Sequence, residues 1–174
     1  MKKLFLPLLA GCLWAAAAAA QPVIEKQGSK RDSFTFVQIA DPQLGFCEKG
    51  RDWQCTVDNL KATVARINAL KPAFVIVTGD LIHNWKNAAQ AAAYREQIGR
   101  IDASIPVFHL PGNHDMPNYA AAAVAKYRAA FGYDRFAFAY NGSAFIGLNS
   151  NPMVCDSETA RADARAQLEW FGQQ

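Results

Sequence analysis

Residues 73–80 read AFVIVTGD, an unbroken apolar run that is followed at once by threonine, glycine and aspartate. A strand that is continuous in Phe, Val and Ile is typical of one buried on both faces, as in a parallel sheet. Similar runs, FTFVQIA at 34–40 and IPVFHL at 105–110, lie before and after it in the chain. Helix-like segments separate the three runs, and this alternation predicts an α/β fold with a mostly parallel sheet covered by helices.

The remaining elements follow from apolar periodicity and from turn residues. Helices are predicted over 56–71, 87–101, 119–131 and 157–171, and short strands over 135–140 and 143–149. Thr56 is the candidate N-cap of the first helix. In the last helix Ala164, Leu168 and Phe171 share one face. The Asn-Gly pair between the two short strands predicts a hairpin.

The N-terminal residues predict export. Lys2 and Lys3 precede the apolar run LFLPLLAGCLW, and AAAAAAQP offers a small-residue cleavage site before Gln21. That run is shorter than the ~20 residues that a membrane span requires. We therefore expect a signal peptide at 1–20, a flexible lead-in at 21–33, one domain at 34–174 and a periplasmic or secreted location. Lipidation at Cys12 within LAGC is the alternative, and the apolar sequence that continues after Cys12 counts against it.

Charge gives no indication of a polyanionic partner. Removing Lys2 and Lys3 with the signal lowers the formal net charge from +3 to +1. A nearly neutral chain argues against nucleic-acid binding and against a stable membrane partner. The net charge does not indicate the oligomeric state.

Three cysteines would remain after cleavage of the signal: Cys47, Cys55 and Cys155. In an exported protein, Cys47 and Cys55 are close enough in sequence to close a small loop as a disulfide. Cys155 is then left over, either as a free thiol or bonded to a partner outside these residues.

Polar residues follow each of the three buried strands. The exits read ADPQLG at 40–45, TGDLIHN at 78–84 and PGNHDMPN at 111–118. Each alone is an ordinary turn sequence. Ligands in open α/β sheets bind beyond the carboxyl ends of the strands, so three such exits at one edge predict a shared site.

The side chains at this edge suit a pair of divalent metal ions. Asp80 could bridge two cations, with Asp41 and Gln43 serving one and the side-chain oxygen of Asn113 the other. Two metals about 3.5–4 Å apart can activate a water and hold both oxygens of an in-line phosphoryl displacement. His114 would lie beside them and donate either a proton to the leaving oxygen or a hydrogen bond to the developing charge.

The stretches DPQ (41–43), GD (79–80) and GNHD (112–115) resemble the first three motif blocks of the calcineurin-like metallophosphoesterases, over roughly residues 34–172. The resemblance implies a four-layer αββα sandwich and a dinuclear centre of divalent or mixed-valence manganese, iron or zinc. It implies that Asp41, Asp80 and Asn113 are metal ligands and that His114 is the catalytic histidine. The expected activity is hydrolysis of phosphate esters, and the DPQ type resembles a branch that acts on phosphoproteins.

Two positions depart from the family pattern. Gln43 stands where the family usually has histidine, and its amide oxygen is a harder, weaker donor that favours manganese or iron. His83 stands where the family commonly has the aspartate that orients the catalytic histidine. Either Asp115 takes over that role or His83 itself contributes from the rim. His109 lies inside a predicted strand and is interpreted as a core histidine.

The family completes its metal centre with histidines from later motif blocks, and this sequence has none after His114. A non-catalytic or incomplete metal-binding piece of the same fold is therefore the alternative function. We expect the sequence to be the N-terminal part of a longer gene product, with a fold truncated after its first half. The substrate could be a phosphomonoester, a diester, a nucleotide or a phosphoprotein.

Overall fold

A computed structural model describes residues 33–47 and 53–174. The predicted signal peptide, the lead-in up to residue 32 and the candidate lipidation site Cys12 lie outside the described residues. Within the described part of the chain, no helix is both long and apolar enough to cross a membrane.

Three parallel strands form the central sheet: β1 (Val37–Ala40), β2 (Val75–Thr78) and β3 (Val107–Leu110), in the order β1-β2-β3. Their last residues, Ala40, Thr78 and Leu110, are register partners across the sheet. All three strands therefore end at one level, and the three exits emerge side by side. This confirms the predicted parallel α/β arrangement.

Four helices accompany the sheet: α1 (Gln54–Leu70), α2 (Ala88–Ile98), α3 (Ala121–Phe131) and α4 (Glu158–Gly172). Short 3-10 turns occur at Pro117–Tyr119 and Asn151–Met153. The prediction of Thr56 as N-cap is wrong, because α1 begins earlier with Trp53 at that position. The Thr56 hydroxyl instead donates to the Trp53 carbonyl at 2.7 Å and accepts from the Gly45 amide at 3.1 Å.

The two faces of the sheet are covered differently. Val75 and Val77 pack in a core with the inner face of α1, whereas Phe74 and Phe108 point to the opposite face. There they meet an antiparallel hairpin of β4 (Phe136–Tyr140) and β5 (Ser143–Gly147). The described residues thus supply a helix layer, a parallel sheet and a second, two-stranded sheet, consistent with the expected fold.

The last helix packs through a polar residue. Gln167 is 1% exposed, and its side chain bonds both main-chain groups of Asn149 at 2.8 Å. Leu168 and Phe171, which the periodicity placed together on one face, are 56% and 45% exposed. The apolar face of α4 is therefore not its buried face, and the buried Asn149 anchors the helix through its main chain.

Candidate metal centre

The exits of β1 and β2 run side by side beyond the sheet. The Asp41 amide donates to the Thr78 carbonyl at 3.1 Å, and the Gln43 amide donates to the Asp80 carbonyl at 2.8 Å. The exit of β3 joins them through the Gly79 amide, which donates to the Leu110 carbonyl at 3.1 Å. Hydrogen bonds of the sheet thus extend into the exits and align the predicted ligands.

Three of these residues hold left-handed backbone conformations. The φ angles are 45° at Asp41, 38° at Gln43 and 27° at Asp80. Such angles are uncommon outside glycine and cost of the order of 1–3 kcal/mol each. Strain of this kind concentrates at functional sites, where the surrounding structure maintains it. Three of the four predicted ligands carry this strain, which supports the prediction of a site at this edge of the sheet.

Two glycines let the carboxylates come together. A Cβ atom added at Gly79, whose φ is 78°, would lie 2.7 Å from Oδ1 of Asp41. A Cβ atom at Gly112 would overlap the main-chain nitrogen and Oδ1 of Asp80. The Asp41 carboxylate therefore lies against the β2 exit, and the turn before Asn113 lies against Asp80.

The charge of Asp80 has no cationic side chain to balance it. Asp80 is 8% exposed, and its Oδ1 accepts a hydrogen bond from the His114 amide at 2.7 Å. Among residues 33–47 and 53–174, neither Asp41 nor Asp80 forms an ion pair with Lys, Arg or His. Carboxylates that are buried in proteins are usually paired or coordinate a metal. Buried Asp80 therefore suits a divalent cation, and Asp41, which is exposed, lies beside it as a second carboxylate.

The donors fit one side of such a site. Asp41 and Asp80 offer carboxylate oxygens, and Gln43 and Asn113 offer amide oxygens, a set that suits hard cations such as manganese. Within the part of the chain that the structure describes, no three His, Cys, Asp or Glu side chains cluster as metal ligands.

His114 is held by the main chain of His83. Its Nδ1 lies 2.8 Å from the His83 carbonyl oxygen, and the two rings stack with centroids 4.8 Å apart. A carbonyl can only accept, so Nδ1 carries the hydrogen and Nε2 is left for chemistry. Of the two orienting groups considered from the sequence, the structure gives this bond to His83, through its backbone.

The Asp115 carboxylate binds backbone amides instead of the His114 ring. It accepts from the amides of Leu81 at 3.0 Å, Gly112 at 2.9 Å and Ile82 at 3.4 Å. Burial raises the pKa of this carboxyl to about 6, against the opposing effect of the amide bonds. Asp115 thus ties the β2 exit to the β3 exit.

The loop beside the site is covalently closed. Cys47 and Cys55 form the predicted disulfide, which links the β1 exit to the first turn of α1. Next to it, the Phe46 ring lies 5.3 Å from the His83 ring and is 61% exposed. Cys155 is a free, half-buried thiol.

Comparison with known proteins agrees with this geometry. The family model for the calcineurin-like phosphoesterases matches residues 34–168. The chain belongs to this family. It is 32% identical over 170 residues to human serine/threonine-protein phosphatase CPPED1, covering 86% of this chain and 52% of that protein.

A second similarity is to the zebrafish protein of the same name, 34% over 137 residues, covering 67% of this chain and 43% of the other. The uncharacterized metallophosphoesterase YkuE of Bacillus subtilis is 28% identical over 102 residues, or 59% of this chain and 33% of YkuE. The chain spans about half the length of the CPPED1 proteins it matches.

One histidine that the sequence placed outside the site lies in the core. His109 is 8% exposed, between the rings of Tyr94 and Phe131, so the core interpretation is confirmed. Burial lowers the pKa of its imidazole to about 4. The acceptor role of the His83 carbonyl left no sequence signal, because every residue type carries that atom.

Proposed function

We propose that the full-length protein hydrolyses phosphate monoesters with the help of two divalent metal ions at the strand exits. Asp41, Gln43, Asp80 and Asn113 would hold the ions. The ions would supply Lewis-acid polarisation of the phosphoryl group and activation of the attacking water. Membership of the calcineurin-like phosphoesterase family and the paired carboxylates without counter-cations support this proposal.

His114 would act on the leaving group. As the water oxygen bonds to phosphorus and the ester P–O bond breaks, Nε2 of protonated His114 donates its proton to the departing oxygen. The observation that supports this role is that two hydrogen bonds position His114. Its backbone amide donates to Oδ1 of Asp80 at 2.7 Å, and its Nδ1 bonds the His83 carbonyl oxygen at 2.8 Å. These bonds hold a proton donor beside the metal ligands.

The proposed substrate class is a phosphorylated serine or threonine of a protein. Its support is the name of the CPPED1 relatives, which are serine/threonine-protein phosphatases. Export to an oxidising compartment is proposed alongside, from the N-terminal residues and from the Cys47–Cys55 disulfide, a bond that is rare in reducing cytosol.

The test is hydrolysis of a chromogenic phosphate ester and of a phosphoserine peptide by the full-length protein with added manganese. Asp80→Asn should remove both bound metal and activity, whereas His114→Ala should keep the metal and lower kcat by roughly 10²–10⁴. Asp156→Asn is the matched control, because the Asp156 side chain is 100% exposed and should leave both unchanged. Metal binding without turnover in the unaltered protein would favour the non-catalytic alternative.

A further inference from the structure

Phe46 presents a largely exposed phenyl ring beside the candidate metal centre. The side chain is 61% exposed, and the Phe46 amide donates to the carbonyl of the proposed metal ligand Gln43 at 3.0 Å. Single exposed apolar side chains are common on protein surfaces. The role of this ring therefore depends on whether its backbone is fixed and on what lies next to it.

The exit of β2 fixes the backbone just before Phe46. Leu44 is fully buried and forms a parallel bridge with Ile82. The Leu44 amide donates to the Leu81 carbonyl at 3.2 Å, and the Leu44 carbonyl accepts from the His83 amide at 2.9 Å. The chain therefore approaches Phe46 from a position that sheet-like hydrogen bonds hold.

Helix α1 fixes the residues on either side of Phe46. The Gly45 amide donates to the Thr56 hydroxyl at 3.1 Å, and the disulfide joins Cys47 to Cys55 in the first turn of that helix. Both sequence neighbours of Phe46 are thus tied to α1, while its own ring faces solvent. A ring on a fixed backbone loses little conformational freedom when a ligand covers it, so more of the contact appears as affinity.

Two ring contacts connect Phe46 to the proposed proton donor His114. The Phe46 and His83 ring centroids are 5.3 Å apart, and the His83 and His114 centroids are 4.8 Å apart. The Phe46 ring therefore lies no more than about 10 Å from the His114 ring, a distance that about three residues of extended chain span. Because the His83 ring contacts both, a ring surface continues from the proton donor to the exposed phenyl group.

This arrangement determines which part of a peptide substrate can contact Phe46. In the proposed function, the departing oxygen of a phosphoserine lies at His114. A serine side chain has a single carbon atom, whereas the next residue has its Cα about 3.8 Å further along and a side chain of its own. The neighbouring side chain is therefore the group that can reach across the His83 ring to Phe46.

The chemistry of the ring favours an apolar neighbour. Phenylalanine has no hydrogen-bonding side-chain atom, so Phe46 gains from a ligand through burial of apolar surface and through ring packing. A cationic side chain could also lie on the ring, but phenylalanine binds cations less well than tryptophan does. Divalent ions at the proposed centre would also repel that charge. An aliphatic or aromatic side chain is therefore the best-matched occupant.

We propose that Phe46 determines the sequence preference of the phosphatase by binding an aliphatic or aromatic side chain next to the phosphoserine or phosphothreonine of a protein substrate. The inference rests on the proposed function, which places the phosphoryl group at the strand exits. It adds a requirement on the substrate sequence that the metal centre alone does not impose, because metal ions there would contact only oxygen atoms of the phosphoryl group and of water.

The test uses three phosphoserine peptides that are identical except for the residues on both sides of the phosphoserine, which are leucine, glycine or arginine. Hydrolysis by the full-length protein is measured with added manganese. Leucine should raise kcat/KM about three- to tenfold over glycine, as expected for one partly buried apolar contact. Arginine should give a lower kcat/KM than leucine.

Variants of Phe46 separate a contact with the substrate from a general defect. Phe46→Ala should bring the leucine-to-glycine ratio of kcat/KM close to one, and Phe46→Tyr, which keeps the ring, should retain the preference. Phe171→Ala is the matched control, because it makes the same change at a 45% exposed phenylalanine on α4 and should keep the ratio of the unaltered protein. Thermal unfolding of each variant checks that it is folded.

A binding measurement distinguishes failure of this inference from failure of the proposed function. Fluorescein-labelled versions of the three peptides are titrated with manganese-loaded His114→Ala, which should bind without rapid turnover, and anisotropy gives each Kd. Tighter binding of the leucine peptide that depends on Phe46, without hydrolysis by the unaltered protein, would support the inference and overturn the proposed function. Hydrolysis of the leucine and glycine peptides with equal kcat/KM would do the reverse.

Three further outcomes overturn the inference. They are a leucine preference that survives Phe46→Ala, a higher kcat/KM for the arginine peptide than for the leucine peptide, and no binding of any phosphopeptide at millimolar concentration. A Phe46→Ala variant that loses far more thermal stability than Phe171→Ala and keeps the peptide ratio would show that the ring packs within the full-length protein.

Discussion

The Nδ1 atom of His114 lies 2.8 Å from the main-chain carbonyl oxygen of His83, and the two imidazole rings stack. A backbone carbonyl thus takes the orienting role that the family pattern would give to an aspartate side chain at position 83. A neutral acceptor fixes the tautomer and the ring orientation, but it stabilises a protonated imidazole less than a carboxylate would.

Because the acceptor is a main-chain atom, replacing the His83 side chain should be mild. His83→Ala removes the stacked ring and keeps the carbonyl, so kcat should fall by less than about tenfold. His114→Ala, assayed beside it, should cost roughly 10²–10⁴ in kcat. The measurement is steady-state hydrolysis of a chromogenic phosphate ester by the full-length protein. Equal losses in the two variants would mean that the His83 ring, not its backbone, supports catalysis.

Asp115→Asn should destabilise the fold. The Asp115 carboxylate accepts hydrogen bonds from three backbone N–H groups. An asparagine side chain has one acceptor oxygen, and its NH₂ group would face the remaining backbone donors. Leaving buried amides unpaired should lower the free energy of unfolding by about 2–3 kcal/mol, measured by urea denaturation at neutral pH.

The control for Asp115→Asn is Asp156→Asn, which makes the same chemical change at a fully exposed side chain. It should alter the free energy of unfolding by less than about 0.5 kcal/mol. A stability loss no larger than that of the control would show that the three amides find other partners.

Buried His109 should make the protein less stable in acid. Its pKa is about 4 in the folded state, below the ordinary 6.5, so the unfolded chain binds more protons between those values. The stability contribution of His109 is therefore complete above pH 6.5 and falls as the pH drops toward 4, by about 3 kcal/mol in all.

His109→Leu isolates that contribution. Asp115, whose pKa is raised to about 6, acts in the opposite direction and is present in both proteins, so it cancels in the comparison. The difference in unfolding free energy between the two proteins should move in favour of His109→Leu by about 2.5 kcal/mol from pH 7.5 to pH 4.5. A constant difference across that range would mean that His109 titrates with the same pKa in the folded and unfolded states.

The disulfide can be tested by peptide mapping without reductant. Lys49 and Arg51 lie between Cys47 and Cys55, so trypsin cuts that loop and leaves the two peptides joined only through sulfur. We expect a linked pair that separates on reduction, while Cys155 is alkylated before reduction once the protein is denatured. Recovery of separately alkylated Cys47 and Cys55 peptides from exported protein would contradict the bond.

The sequence was informative wherever side-chain type alone decided the structure. The apolar runs predicted three strands. In the structure these strands end at Ala40, Thr78 and Leu110, which are register partners, so the strands end at the same level of the sheet. Likewise, the Asn141–Gly142 pair has positive φ at both positions, as its hairpin turn requires.

The sequence was least informative where main-chain atoms are the partners. The helix periodicity of α4 favoured Leu168 and Phe171, yet Gln167 is buried because its amide matches the backbone of Asn149. The same holds for the His83 carbonyl and for the amides that bind Asp115. The contacts of Asp115 with Leu81 and of His114 with His83 join loops more than 30 residues apart in sequence, and Gln167 lies 18 residues from Asn149, so no local pattern encodes them.

The bonds from Asp115 to Leu81, Ile82 and Gly112 join the two exits without any contribution from a metal ion. The backbone around the candidate centre is therefore shaped before loading, so a chelator should strip ions while leaving the amide exchange rates of these three residues nearly unchanged. Uptake would then be paced by how fast the aqueous ion sheds its own hydration water, because the exits of β2 and β3 would not have to reorganise to receive it.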